Sequence, residues 1–405
     1  MLAVAEAKEV ILSAVRTRPA RAVPLAKALD CVLAQDVTSP VDLPLWDNSA
    51  VDGYAVRASD VADASENNPI HLRVIAKVPA GTAAKVGLEP QACARIFTGA
   101  PIPAGADAVV MQEDTHPHHE GYIAVVESVE TGENIRRAGD DVTKNEVVLR
   151  AGMLLGPSQL GMAAAVGVAQ LVVYPCPRVG VLVTGAEIVE PGRPLREGQI
   201  HDSNSYALCA FVKKAGCEPV DLGIADDTRE DLHEKIDYGL SECDAVITVG
   251  GVSVGEYDLV KNVLAELGCE QNLWKIAMRP GKPFVFGARA EKLVFGLPGN
   301  PVSAAVTFLV LVRPALLKMR GLTEIELPSL SAETAEDFVN SGDRLHYMRA
   351  QLQRDGEKWL VRPMPRQGSH VISSIANANC LVEVSEATTI PRGHLAKVIR
   401  LSGGE

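Results

Sequence analysis

The chain has 405 residues, with 39 basic against 51 acidic side chains and a net charge of −12. That length exceeds one ordinary core, so two to four domains are expected. The acidic balance disfavours nucleic acid and anionic membrane as partners, and aromatics at 4% leave no stacking surface for single strands.

Residues 4–16 carry apolar side chains at helical spacing (Val4, Ala7, Ile11, Leu12, Val15) and predict an amphipathic helix. Residues 24–37 read as a short helix leading to a strand, after which Pro40, Pro44 and Asp47-Asn48 break the chain. Between 70 and 150, short apolar runs at 71–76, 108–111, 122–126 and 146–149 alternate with Gly, Pro and Asp turns, the pattern of a β-rich module. A small-residue helix follows over 158–169, with Ser158 as its expected cap. From Arg178 the pattern becomes strand, loop, helix. Strands are expected at 178–183, 218–222, 244–249, 283–286 and 292–295, and helices at 204–215, 229–240, 257–267 and 301–319. Such alternation predicts a mostly parallel α/β sheet with its ligand at the carboxyl ends of the strands. Beyond Gly321, strands at 344–353, 359–363, 380–384 and 394–401 predict a small C-terminal β domain. The fold class is multidomain, a central α/β domain flanked by β-rich ones.

The eight cysteines form no CxxC and predict reduced thiols, neither a disulfide framework nor a zinc site. The N-terminus lacks the long apolar stretch of a signal peptide, and no window of about 18 uninterrupted apolar residues predicts a membrane span. The expected location is cytoplasmic.

The densest chemical signal is 245–258, Ala-Val-Ile-Thr-Val-Gly-Gly-Val-Ser-Val-Gly-Glu-Tyr-Asp. A β-branched run breaks into Gly250-Gly251, and a helix follows. Glycines let backbone N–H groups approach an anion, and the helix N-terminus adds positive charge. Glu256 and Asp258 at that mouth would repel a phosphate unless a cation lay between them, which points to a phosphorylated ligand held partly through a metal. Thr184-Gly185-Ala186-Glu187 and Leu297-Pro298-Gly299-Asn300-Pro301 end two further strands, so three loops fall where a ligand crevice is expected. Lys275, Arg279 and Lys282 supply cations for a phosphate or an oxyanion, although a solvated loop is an equal reading of their spacing. Asp226-Asp227 precedes Thr228, a plausible helix cap; capping would also account for one acid of the pair, which leaves the other free for a metal. Asp202 and Asn204 read as capping. His116-Pro117-His118-His119 reads as an exposed loop rather than a metal site.

Taken in order, Asp47–Ala55, Ile96–Asp114, Asn134–Val142, Thr184–Glu187, Gly198–Asn204, Gly223–Asp227, Gly250–Asp258, Arg279–Pro283, Leu297–Ser303 and Gln367–His370 resemble the MoeA-type molybdopterin molybdenumtransferases, the family that includes the C-terminal domain of gephyrin. The resemblance spans essentially the whole chain. It implies insertion of molybdate into adenylyl-molybdopterin in an Mg²⁺-dependent step that releases AMP. It implies a homodimer, transient contact with an adenylyltransferase and with apo-molybdoenzymes, and four domains: 1–44 with 141–175, 45–140, 176–326 and 327–405. The active site would lie between the α/β domain of one subunit and N-terminal domains of the other.

Carried over by position, Asp52, Thr98, Asp141, Lys275 and Arg279 are the implied catalytic residues. Thr184, Gly185, Glu187, Gly250, Gly251, Ser253, Lys282, Pro298, Gly299, Pro301 and Ser369 would bind substrate, and Asp226, Asp258 and Glu187 would hold metal. Ala186 stands where relatives often have an acid, and Arg279 replaces a lysine seen in some of them; the planar fork of arginine holds oxyanions differently. Two other readings fit parts of the same sequence. The α/β region alone resembles the molybdopterin adenylyltransferases, but those lack the flanking domains. A scaffold of the same fold has no added partner-binding tail to support it. A tungstate-specific variant would look the same in sequence.

Overall fold

The computed structural model describes residues 1–82, 85, 87–251 and 259–401, and only the backbone of residues 271–274. Ser253, Glu256 and Asp258 therefore lie outside the described residues.

Helix α1, Val4–Ala14, was expected in the first domain. It buries Ala7 and Ile11, with Val15 beyond its end, among Val179, Phe284 and Leu316 of the α/β core. Ahead of it, Leu2 N donates to the Lys275 carbonyl and Ala277 N to the Leu2 carbonyl, both at 2.9 Å. The chain start thus braces the cationic loop. The remaining first-domain residues form their own cluster around Leu33, Leu155 and Leu171, beneath helix α2, Pro157–Ala165. The stretch 24–37 is mostly extended, holding one 3₁₀ turn, Leu25–Lys27, and short strands Val32–Leu33 and Val37–Thr38. Ser158 does not cap α2. The N-cap is Gly156, whose N–H donates to Gln159 Oε1 at 3.1 Å, and Pro157 opens the helix with a preset φ.

The β-rich module is a six-stranded sheet. Its strands are β1 (Gly53–Val56), β2 (Ile70–Val78), β3 (Ala92–Ile96), β4 (Ala108–Met111), β5 (Thr115–Pro117) and β6 (Tyr122–Val125), in the order β4-β1-β3-β2-β6-β5. Strands β1 and β3 escaped the sequence reading because Ala and Gly carry weak strand preference, and β5 did so because His116-Pro117, read as loop, pairs at the sheet edge with β6.

The α/β domain holds β7 (Arg178–Thr184), β8 (Glu218–Ala225), β9 (Ala245–Val249), β10 (Glu270–Lys275), β12 (Pro283–Arg289) and β13 (Lys292–Leu297) in the order β8-β7-β9-β13-β12-β10. Strands β8, β7, β9 and β13 are parallel, while β12 and β10 form an antiparallel margin. The segment read as a possible solvated loop is partly strand: Lys275 ends β10, and Met278–Arg279 is a short strand, β11, paired with the C-terminal domain. Helices α3 (Asn204–Lys214), α4 (Arg229–Glu242) and α5 (Leu259–Glu266) cover the sheet. Thr228 caps α4 by accepting from Asp231 N at 3.4 Å. Helix α6, Pro301–Met319, is the one described helix long and apolar enough to cross a membrane; 89% of its apolar window is buried inside the protein, which makes it a core helix.

In the C-terminal domain, β14 (Ser329–Thr334), β15 (Leu345–Asp355), β16 (Lys358–Pro363), β17 (Cys380–Val384) and β18 (Leu395–Arg400) run β15-β16-β14-β18-β17. Strand β17 pairs back to β15 and closes a barrel. All eight cysteines are unpaired; five are buried and Cys176 is exposed. Burial pushes the thiols of Cys93, Cys217 and Cys380 up to about 12, which suits inert core residues.

Candidate active site

Parallel strands β7, β9 and β13 end together, so their loops meet. A crevice of about 790 Å³ opens there, lined by Thr184, Gly185 and Glu187, by Gly250 and Gly251, and by Gly299, Asn300 and Pro301. Its floor is tight: a Cβ on Gly250 would sit 2.5 Å from the Thr184 carbonyl oxygen. The Thr184 hydroxyl is buried there without a partner among the described residues, next to where side chains at 250 and 251 would be. An orphaned donor at a crevice floor is what an anionic ligand would satisfy.

The structure brings together seven of the residues that the resemblance and the loops assigned to substrate or metal: Thr184, Gly185, Glu187, Gly250, Gly251, Gly299 and Pro301. It adds others. Asp227, rather than Asp226, reaches this crevice; its Oδ2 accepts from Ala186 N at 3.1 Å. Asp226 lines a neighbouring recess with Arg193, Tyr206 and Asp221. Asp202 serves as a cap: Oδ1 accepts from Asn204 N and Ser205 N at 2.9 and 3.1 Å, and Oδ2 accepts from the Ser205 hydroxyl. Asn204 points its amide to the Gly299 carbonyl at 2.8 Å and fixes the Pro-Gly-Asn-Pro loop.

His370 reaches the crevice from the C-terminal domain. The Ser369 carbonyl accepts from Val302 N at 3.2 Å, so this loop satisfies a free donor of the first turn of α6. Behind it lies Arg349, fully buried on β15. Its Nη2 donates to the Gly368 carbonyl at 3.3 Å and its Nε to Ser374 Oγ at 3.2 Å, while Nη1 has no partner among the described residues. Burial, then the charge of Arg279, lowers the guanidinium to about 10. Lys275, Arg279 and Lys282 are exposed and do not line the crevice; of the three, Arg279 is within electrostatic reach of Arg349, and Gly281 packs on Thr307 of α6. Sequence reasoning missed Arg349, and the one available signal was a charged residue between apolar Met348 and Ala350.

Asp52, Thr98 and Asp141 lie on the N-terminal half and do not line the crevice. Asp52 Oδ1 accepts from Thr98 N and from Thr98 Oγ1, both at 2.8 Å. Those bonds, the backbone one first, hold the Asp52 carboxyl below its ordinary range and keep it ionised. Arg95 stacks 5.0 Å from both Tyr54 and Phe97 beside the pair. Asp141 is exposed, its backbone N–H bonded to the Leu43 carbonyl at 2.9 Å.

Among the described residues no three His, Cys, Asp or Glu converge on one point. A preformed cage is therefore ruled out for those residues. Mg²⁺ commonly uses one or two carboxylates and completes its shell with waters and substrate phosphates. Glu187 and Asp227, both on the crevice wall, fit that smaller requirement.

Comparison with known proteins gives the same outline. Residues 2–167 match the family described as MoeA N-terminal region (domain I and II), residues 180–318 the probable molybdopterin binding domain, and residues 331–401 the MoeA C-terminal region (domain IV). The chain is 40% identical over 364 residues to the molybdopterin molybdenumtransferase of Haemophilus influenzae, covering 89% of each. It is 38% identical over 391 residues to molybdopterin molybdenumtransferase 2 of Mycobacterium tuberculosis, covering 95% of this chain and 96% of that one. The crystal structure of the molybdopterin biosynthesis MoeA protein from Pyrococcus horikosii superposes with a TM-score of 0.86 at 34% identity over the full length of both chains. With all three regions in order and relatives this similar along the whole length, the chain belongs to the MoeA family of molybdopterin molybdenumtransferases.

Proposed function

We propose that this protein inserts molybdate into adenylyl-molybdopterin and releases AMP. The observation that carries the reading is the crevice itself: glycine loops and an orphaned threonine hydroxyl at the ends of parallel strands, with the buried Arg349 guanidinium behind the Ser369 loop. Phosphoanhydride cleavage needs charge stabilisation and alignment more than a covalent protein intermediate. The Gly251 N–H and the Thr184 hydroxyl are the groups offered to phosphate oxygens, while the Gly250 N–H is held by the Leu297 carbonyl at 3.1 Å and fixes the loop. Arg279 and Arg349, with Lys275 and Lys282 at the rim, attract the molybdate dianion and hold it beside the Ser369 loop. Glu187 and Asp227 would hold Mg²⁺, which when bound supplies charge neutralisation on the diphosphate. Pro298 and Pro301 stiffen the loop at the mouth.

Asp52, Thr98 and Asp141 act, in this reading, from a second copy of the chain, which makes the working form a homodimer. Transient contact with the adenylyltransferase that makes the substrate and with apo-molybdoenzymes that take the product completes the proposal. The reaction belongs in the cytoplasm, without membrane or nucleic acid.

The test is AMP release from adenylyl-molybdopterin by purified protein with Mg²⁺ and molybdate, followed by reconstitution of an apo-molybdoenzyme. Molybdate-dependent release that yields active enzyme is the expected result. Transfer of AMP from ATP to molybdopterin instead would move the assignment to an adenylyltransferase, and inertness in both assays would leave binding alone.

A further inference from the structure

The side chain beneath Arg279 has no assigned task. His346 of β15 is in register with Arg279 of β11, and in-register neighbours of a parallel pair leave the sheet on the same face. Arg279 is exposed, whereas His346 is 3% exposed, and neither of its ring nitrogens has a partner among the described residues. A neutral imidazole carries one donor and one acceptor, and leaving both unmade in a core is costly.

The surroundings are cationic. Arg279 faces the ring from β11; Arg344 and Arg349 are within electrostatic reach on its own segment, and Arg344 Nη1 donates to the Met278 carbonyl at 3.2 Å. On β17 the residue opposite is apolar Val384, while the adjacent Glu383 is engaged by Lys397 at 2.9 Å and by Tyr347. Asp343 pairs outward with Arg344 at 3.3 Å. Among the described residues, neither Arg279 nor Arg349 has an ion pair. Burial first, and then these arginines, lower the His346 imidazole to about 4, so it is neutral at pH 7. An acid at this position would have tied down Arg279. A neutral imidazole leaves that guanidinium free for a ligand.

We infer that His346 is a positioning residue that couples proton uptake to anion binding: when a tetrahedral oxyanion settles on Arg279, its charge offsets the arginines and the ring takes one proton from solvent. The inference rests on the reading of Arg279 as an oxyanion contact. It makes affinity fall as pH rises above neutrality, beyond whatever the oxyanion's own protonation contributes.

The experiment is calorimetric titration of the full chain with molybdate alone at pH 7, in two buffers of different ionisation heat, for wild type, His346→Gln and Arg279→Met. The expected result is that wild type takes up at least about half a proton more than His346→Gln and binds roughly threefold to tenfold more tightly. Histidine NMR of the wild type, which needs no variant to fold, should show the His346 resonance moving to the charged form on saturation. Equal proton counts in wild type and His346→Gln, or a ring that stays neutral in the saturated complex, would overturn the coupling while leaving the oxyanion contact standing. Unweakened binding by Arg279→Met would overturn both.

Discussion

Replacing Gly250 by alanine should damage fold and function together. Gly250 has a φ of +91°, and its added Cβ would lie 2.5 Å from the Thr184 carbonyl oxygen. The left-handed backbone costs a non-glycine residue about 1–2 kcal/mol. Relieving the contact means parting the ends of β7 and β9 by a few tenths of an ångström or more, which adds roughly 1–3 kcal/mol. A loss of about 2–5 kcal/mol is therefore expected in the α/β domain. Gly299 is the control. A Cβ there meets only the Gly250 Cα, at 3.6 Å, an ordinary contact, and its φ is not in the left-handed region. Gly299→Ala should stay within about 1 kcal/mol of wild type while placing a methyl group at the crevice mouth. Urea unfolding of both variants, with AMP release measured in parallel, reads the two effects. Gly250→Ala should lose stability and at least about tenfold in AMP release; Gly299→Ala should lose activity alone. A Gly250→Ala protein with an unchanged unfolding midpoint and full activity would refute both the strain reckoning and the position of the crevice floor.

Three further outcomes are expected. Asp227→Asn should raise the Mg²⁺ concentration needed for half-maximal AMP release about tenfold, and Asp226→Asn much less, because only Asp227 reaches the crevice; the reverse order in an Mg²⁺ titration would sink the metal assignment. Arg349→Met removes a buried cation with an orphaned nitrogen, so urea stability should change by no more than about 1 kcal/mol. Its molybdate-dependent AMP release should nonetheless fall by about a hundredfold, and unaltered release at low molybdate would count against the oxyanion role. Lowering the pH should destabilise the fold between 6.5 and about 4, because unfolded His346 takes a proton near 6.5 and the buried ring resists until about 4. His346→Gln should flatten that slope, and identical pH–stability curves for the two proteins would disprove it.

What the amino-acid order determined by itself is what depends on local period and chain order. The runs at 178–183, 244–249 and 292–295, each ended by glycine or proline, identify parallel strands and the three loops at their carboxyl ends. The MoeA-type motifs, read in order, were enough to name the family. Thr228 and Asp202 were legible as caps because capping acts within three residues. Contacts between distant segments were decided only by tertiary structure. Asp226 and Asp227 are adjacent and chemically alike, and only the turn between β8 and α4 sends one to the crevice and the other to a neighbouring recess. Helix α1 looks like part of the first domain, yet its apolar face finds the α/β core. Arg349 and His346 look like ordinary members of a strand until the barrel and the sheet close around them. A pattern in the chain records which face of an element is apolar; which charge is then buried without a partner depends on what folds over it.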